Sequence, residues 1–214
     1  MDIASEIKAI DRTVGSRDTG AGEARTAHLR RTYDASIEDV WDALTDPDRL
    51  RRWFVPVSGD FRLGGRYQVE GNAGGEILRC EPPRLLRLSW IFGEPDPDGI
   101  SEVEVRLSED AGGGTVFELE HVATVDVQRW TEYGPGAVGV GWDLTLLGLG
   151  LHLGGGEIEQ SEREAWTRSA EARDFMTGSS QAWATAHEAA GATSAEAAAA
   201  RDNTIRFYAP PPAD

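Results

Sequence analysis

His28, His121, His152 and His187, the single Cys80 and the carboxylates are the side chains of this sequence able to carry acid–base, nucleophilic or metal chemistry. A metal site asks for ligands at short recurring spacings. The four histidines fall in separate segments, and one cysteine cannot build a thiolate cage. No metal and no cofactor is therefore expected. Cys80 also excludes an intrachain disulfide, and a lone cysteine in a strand pattern reads as a small buried hydrophobe rather than a nucleophile. No Walker loop, dinucleotide fingerprint, nucleophile elbow or zinc helix occurs. The clusters Gly64-Gly65, Gly71–Gly75 and Gly112–Gly114 lie between strand patterns, where hairpin chemistry accounts for them.

His121 has the most distinctive setting. It alternates with Phe117 and Leu119, which points it inward near the end of a strand. It is then either a core histidine tied to a backbone group or a polar contact at the mouth of a cavity. The first is preferred, because buried polar groups normally find a local partner. Glu76 and Asp143 read as polar faces of a strand and a helix. No pair of catalytic carboxylates can be picked out, so no catalytic residue is assigned.

Composition narrows the function classes. Hydrophobic residues make up 40% and charged residues 27%, which is the balance of a folded domain. The net charge is −16, from 37 acidic against 21 basic side chains. Such a field repels phosphate backbones, and no basic stripe reverses it, so nucleic acid is not an expected partner. The densest basic group, Arg49, Arg51 and Arg52, sits beside Asp46 and Asp48 and reads as a solvated helix face. The first residues lack the charged-then-apolar build of a secretory leader. With one cysteine, that suggests a cytoplasmic protein.

These side chains need elements to hold them. Residues 1–23 are polar, with Ile3, Ile7 and Ile10 at the spacing of a short helix. Residues 24–33 read as a strand with Leu29, Arg31 and Tyr33 on one face. Ser36 caps a helix carrying Ile37, Val40, Trp41 and Leu44, and Asp46-Pro47 opens another through Trp53 and Phe54. From Gly59 to Val122 the period becomes two. Tyr67 and Val69 alternate, then Glu76, Leu78 and Cys80, then Leu86, Leu88, Trp90 and Phe92. Val103, Val105 and Leu107 follow, then Phe117, Leu119 and His121, as hairpins of an antiparallel meander.

Residues 136–153 form a helix apolar on almost every side, which must be covered on almost every side. A membrane span is the rival. Five glycines, Asp143 and His152, in a stretch at or below the usual minimum of about 18–20 residues, argue against insertion. The sheet covers one side, through the stripe Val138, Trp142, Thr145 and Leu149. A tail covers the other, at Leu146, Gly150 and Leu153 or along Val140, Leu144, Leu147 and Leu151. The tail reads as three helices. The first opens at the capping box Ser161-x-x-Glu164 and runs to about Met176. The second spans about Ser179–Ala190 and stops at Gly191, and the third, capped by Ser194, ends near Tyr208. Trp166, Phe175, Trp183 and Phe207 are its large apolar residues, with nothing else to bury them.

The run Ala35-Ser36-x-x-x-Val40-Trp41-x-Ala43-Leu44-Thr45-Asp46-Pro47-x-x-Leu50-x-x-Trp53-Phe54, followed by Gly64-Gly65-Arg66-Tyr67, resembles the START-like (SRPBCC) superfamily. Within it, the chain is similar to the branch named for the activator of heat-shock protein 90 ATPase. Gly141-Trp142-x-x-x-Leu146-x-x-Leu149 is similar to that branch's long C-terminal helix, and helical tails occur in its bacterial members. The resemblance implies an α+β helix-grip fold, a curved antiparallel sheet wrapped around that helix. Its domain spans residues 24–153, between an N-terminal segment 1–23 and a helical extension 154–214. It also implies a cavity between sheet and helix, often holding an apolar small molecule, and supplies no catalytic motif.

Three function classes follow. The leading one is a non-catalytic binder of an apolar or aromatic small molecule in that cavity. Trp41, Trp53, Tyr67, Trp90, Phe117, His121 and Trp142 are its candidate lining. The same rings could instead fill the core and leave little void. The second class is an interaction module resembling chaperone ATPase activators, with a chaperone or a second copy of the chain (a homodimer) as partner. The third is a cyclase- or hydrolase-like enzyme with His121 as general base, although nothing adjacent in sequence orients that base. A void of roughly 300 Å³ or more favours the binder, and a filled core with an exposed apolar patch favours the interaction module.

Overall fold

The alternation of the meander builds a sheet whose inner face is continuous across its central strands. In the computed structural model, which describes residues 2–19, 22–94, 96–97, 99–156 and 160–211, the strands are β1 (Asp11–Asp18), β2 (Glu23–Tyr33), β3 (Val57–Gly59), β4 (Arg66–Val69), β5 (Gly74–Glu81), β6 (Leu85–Ser89), β7 (Ser101–Glu109) and β8 (Thr115–Ala123). They make one antiparallel sheet in the order β1-β2-β8-β7-β6-β5-β4-β3, so β1 and β3 are its edges. Val103, Val105 and Leu107 stand opposite His121, Leu119 and Phe117, and Leu119 also faces Leu29 of β2. All seven side chains are buried.

The helices are α1 (Ile3–Lys8), α2 (Ile37–Thr45), α3 (Pro47–Trp53), α4 (Val127–Tyr133), α5 (Gly136–Leu153), α6 (Gln160–Thr167), α7 (Ala170–Ala189) and α8 (Ser194–Tyr208). Ser36 Oγ accepts the Asp39 N–H at 3.2 Å, and Asp46 Oδ1 accepts those of Asp48 and Arg49 at 2.7 and 2.9 Å. These caps fix where α2 and α3 start, with Pro47 where its missing N–H costs nothing. The result is the α+β helix-grip fold, with α5 lying between the sheet and the tail.

Glycine explains how α5 is approached from several sides. A Cβ at Gly139 would stand 2.2 Å from the Trp183 ring of α7, and one at Gly136 would stand 2.7 Å from Thr204 Oγ1 of α8. Hydrogen in place of a side chain lets a buried indole rest on the helix backbone. By length and composition α5 could span a membrane. Here its residues Gly136, Gly139, Val140, Trp142, Asp143, Leu146, Leu147 and Leu149 are buried against protein.

Several elements differ from the sequence-based expectation. The polar run DRTVGSRD gives β1, a strand whose alternation is hidden because Val14 is its only large apolar residue. β3 and α4 are likewise additions. In β5 the inward residue is Ile77, whereas Leu78 is 38% exposed and Cys80 is exposed. The β5–β6 register shifts between Ile77 and Arg79, which breaks the period. Cys80 is thus not a buried hydrophobe. Phe92 lies beyond β6 and is 69% exposed.

In the tail, Met176 and Ser179 belong to one continuous helix, α7, and the break falls earlier, where Ser169 caps it. Gly178 and Ser179 are weak helix formers, but tertiary contacts hold them. Gly178 sits against Ile7, and the Ser179 hydroxyl donates to Asp143. Thr193, not Ser194, caps α8 through a reciprocal box with Glu196. Ser161 lies inside α6, and the side chain of Glu164, the other half of the expected box, lies outside the described residues. Phe175 and Trp183 are fully buried, but Phe207 is 66% exposed and does not contribute to the cover. The side of α5 given to the tail divides. Gly139 and Asp143 meet α7, whereas Leu146 accepts the Tyr33 hydroxyl at 2.9 Å and Gly150 packs on Arg31 and Tyr33 of β2.

Candidate functional site

Four of the seven candidate lining residues meet in a single series. Tyr67 on β4, the half-buried Trp90 just past β6 and Trp142 on α5 follow one another. Ring centroids are 6.3 Å apart for the first pair and 5.0 Å for the second. His121 on β8 ends the series, edge-on to Trp142 at 5.8 Å. The positions follow from the local fold. Tyr67 and His121 are inward residues of their strands, and Trp142 occupies the α5 stripe that faces the sheet.

Hydrogen bonds hold the polar ends. Trp142 Nε1 donates to His121 Nδ1 at 3.1 Å. Indole nitrogen can only donate, so Nδ1 is the unprotonated nitrogen and the ring proton sits on Nε2. Nε2–H then donates to Ser101 Oγ at 3.2 Å, and the Ser101 hydroxyl donates to the Trp90 carbonyl. The Tyr67 hydroxyl donates to the Ser89 carbonyl at 2.7 Å. Burial lowers the His121 pKa to about 4, so the ring is neutral at pH 7. Both its nitrogens are used within the protein, which is the core-histidine arrangement with side-chain rather than backbone partners.

The other three candidates lie apart. Phe117 packs edge-on to Tyr33 at 6.1 Å. Trp53 donates its Nε1–H to the Ala43 carbonyl at 3.0 Å, and its ring lies beside Phe54 at 5.4 Å. Trp41 is half-buried on α2 at the margin of the same core. Phe117, Trp53 and Trp142 belong to the one core cluster packed between sheet and α5, where a cavity was expected. A hollow of about 360 Å³ does occur, lined by Ser58, Arg66, Tyr67, Gln68, Ile91 and several glycines. None of these lining residues belongs to α5, and Tyr67 is the member of the ring series that borders the hollow. Among the described residues no group of His, Cys, Asp and Glu could hold a metal ion.

A second polar cluster was missed in the sequence, where Asp143 reads as a solvated helix face. Asp143 is fully buried. Its carboxylate accepts Arg12 Nε at 2.9 Å, Trp183 Nε1 at 3.2 Å and the Ser179 hydroxyl. Arg12 in turn donates to the carbonyls of Ile7 and Ile10 at 3.0 and 2.7 Å. Burial raises the Asp143 pKa, while Arg12 and the two side-chain donors of α7 oppose the rise. One carboxylate therefore joins α5 to β1, to the end of α1 and to α7. The available signal was a lone carboxylate inside an 18-residue apolar helix.

Comparison with known proteins gives the following likenesses. The sequence model described as activator of Hsp90 ATPase homolog 1-like protein matches residues 34–154. The crystal structure of CalU16 from Micromonospora echinospora is 42% identical, covering 84% of this chain and 99% of its own, with a TM-score of 0.65. Its solution structure gives a TM-score of 0.69, covering 86% and 97%. That coverage is wider than residues 34–154, so the likeness reaches into the flanking segments. Protein MLL2253 from Mesorhizobium loti is 25% identical, covering 63% of this chain and 100% of its own, with a TM-score of 0.53. No curated protein matches the sequence.

Proposed function

Since the chain belongs to the activator of Hsp90 ATPase homolog 1-like family, a branch of the START-like superfamily, we propose that it binds a flat apolar or aromatic small molecule without catalysing its conversion. The observation carrying this reading is the Tyr67–Trp90–Trp142–His121 series, three tilted rings ending edge-on to a neutral imidazole. Such a surface offers dispersion and ring-quadrupole contacts to a planar guest, with few polar groups to desolvate. Trp90 is the half-buried member and the entry point, where a guest stacks by displacing its indole. The non-catalytic part rests on His121. Its two nitrogens are engaged by Trp142 and Ser101, so neither is free to take a substrate proton.

The test is a tryptophan-fluorescence titration with N-phenyl-1-naphthylamine, a neutral aromatic probe, on the parent and on Trp90→Ala. Saturable quenching in the parent, weakened at least tenfold by the substitution, is the expected result. Quenching that never saturates, or that the substitution leaves unchanged, overturns the reading. The packing of Trp142, Phe117 and Trp53 into one core cluster beside α5 favours a second reading, an interaction module like the chaperone activators. A parent that ignores the probe yet is retained on an immobilised Hsp90-type chaperone would favour it.

A further inference from the structure

Trp142 and Asp143 are consecutive residues of α5 that enter different clusters. Trp142 enters the ring series, where Trp90 lies at 5.0 Å and His121 accepts its indole N–H. Asp143 enters the cluster formed by Arg12, Ser179 and Trp183. Successive helix residues differ by about 100° around the axis, so a rotation or slide of α5 that loosens one anchor must displace the other. We propose that Asp143 is a positioning residue. Through α5 it sets the depth and angle of Trp142 in the ring series, and so couples the segments before residue 34 and after residue 154 to that site.

Three further observations carry this. α5 has no side-chain cap at its N-terminal end, where Pro135 precedes the first turn. Along the sheet, the Tyr33 hydroxyl on the Leu146 carbonyl and the Trp142–His121 bond are directional, whereas the remaining apolar surface and glycines of α5 offer little to fix its register. A buried carboxylate accepting from three donors is directional, and such groups are well suited to choosing one register among several. Finally, the donors come from elements outside the span of the family match. Arg12 belongs to β1, and Ser179 and Trp183 belong to α7.

The inference rests on the ring series being a binding site, but its test reads the unliganded protein first. Two indoles 5.0 Å apart couple their transitions and give an exciton couplet in circular dichroism, assigned to this pair by its loss in Trp90→Phe. Asp143→Asn keeps the size but loses the charge. It is expected to reduce or invert that couplet and to weaken the binding of N-phenyl-1-naphthylamine at least fivefold. Leu50→Ala, in α3 and not a partner of Asp143, is a destabilised control that should lower Tm while keeping couplet and affinity. Ser179→Ala, removing a single donor, stands in if Asp143→Asn does not fold. An unchanged couplet in these variants, with Tm alone reduced, overturns the proposal and leaves Asp143 a packing residue. If the parent does not bind the probe, the proposed function fails, but the couplet still decides the positioning role.

Discussion

Trp142 and His121 are joined by an N–H···N bond of 3.1 Å between rings set at 86°, so a tryptophan selects the tautomer of a histidine. A protonated imidazole could not accept that bond, and burial opposes its charge as well. In the folded chain His121 therefore protonates at about pH 4, against 6.5 when unfolded. Between these values the unfolded chain holds more protons, and stability rises with pH across the window. As pH falls from 6.5 to 4 that contribution is lost, amounting to as much as about 3 kcal/mol. Urea unfolding at pH 7 and pH 4.5 checks this. The parent is expected to lose about 2 kcal/mol more than His121→Gln on acidification. Equal losses would mean that His121 is not held neutral.

Trp142→Ala is expected to cost about 3–5 kcal/mol, the usual range for emptying the place of a buried aromatic. It should also abolish probe binding and leave the His121 Nδ1 acceptor unpaired. Guanidinium denaturation measures the first effect and the fluorescence titration the second. A parent-like midpoint would mean that the side chain does not support the core.

Where local chemistry and a period coincide, the sequence was informative. Ser36 and Asp46 cap the helices they precede, and Val103, Val105 and Leu107 line the inner face as alternation requires. Where a long-range partner decides, it was silent. β1 has no apolar period and exists because β2 offers a ladder beside it. α7 runs through Gly178 and Ser179 because Ile7 and Asp143 meet them. The same division holds for the site. The strand and helix faces of Tyr67, His121 and Trp142 were legible. The burial of Asp143 was not, since its partners Arg12 and Ser179 are 131 and 36 residues away in sequence.

Two glycines of α5 should respond oppositely to alanine. Gly→Ala within a helix is worth about 1 kcal/mol when nothing obstructs the methyl group. At Gly141 the new carbon would stand 3.5 Å from Tyr208 Oη, an ordinary contact, and Gly141→Ala should raise stability by about that amount. At Gly139 it would stand 2.2 Å from the ring of the fully buried Trp183, and Gly139→Ala should destabilise by at least about 1–3 kcal/mol. Thermal melts of the two variants decide it. A Gly139→Ala protein as stable as the parent would mean that Trp183 is free to withdraw.

Deleting residues 157–214 removes Trp183 from the far side of α5. It exposes Gly139 and strips Asp143 of two of its donors. The expected product aggregates, because an apolar helix face is left open. Size-exclusion chromatography gives the answer. A truncated chain that elutes as a well-folded dimer would show that a second copy can take the place of the tail.

The sheet is open at both ends, and an unpaired strand is a template for another chain. At one end β3 is three residues long and follows Pro56, too short to recruit a partner. At the other, β1 places Asp11, Arg12, Arg17 and Asp18 along eight residues. β2, with Ala24, Ala27, Leu29 and Tyr33 buried, would be a far more adhesive border were β1 to peel away. Arg12 reaches across to Asp143 and pins β1 in place. The weakly patterned strand is thus a guard rail, and its tether keeps the adhesive strand behind it out of reach of neighbouring molecules.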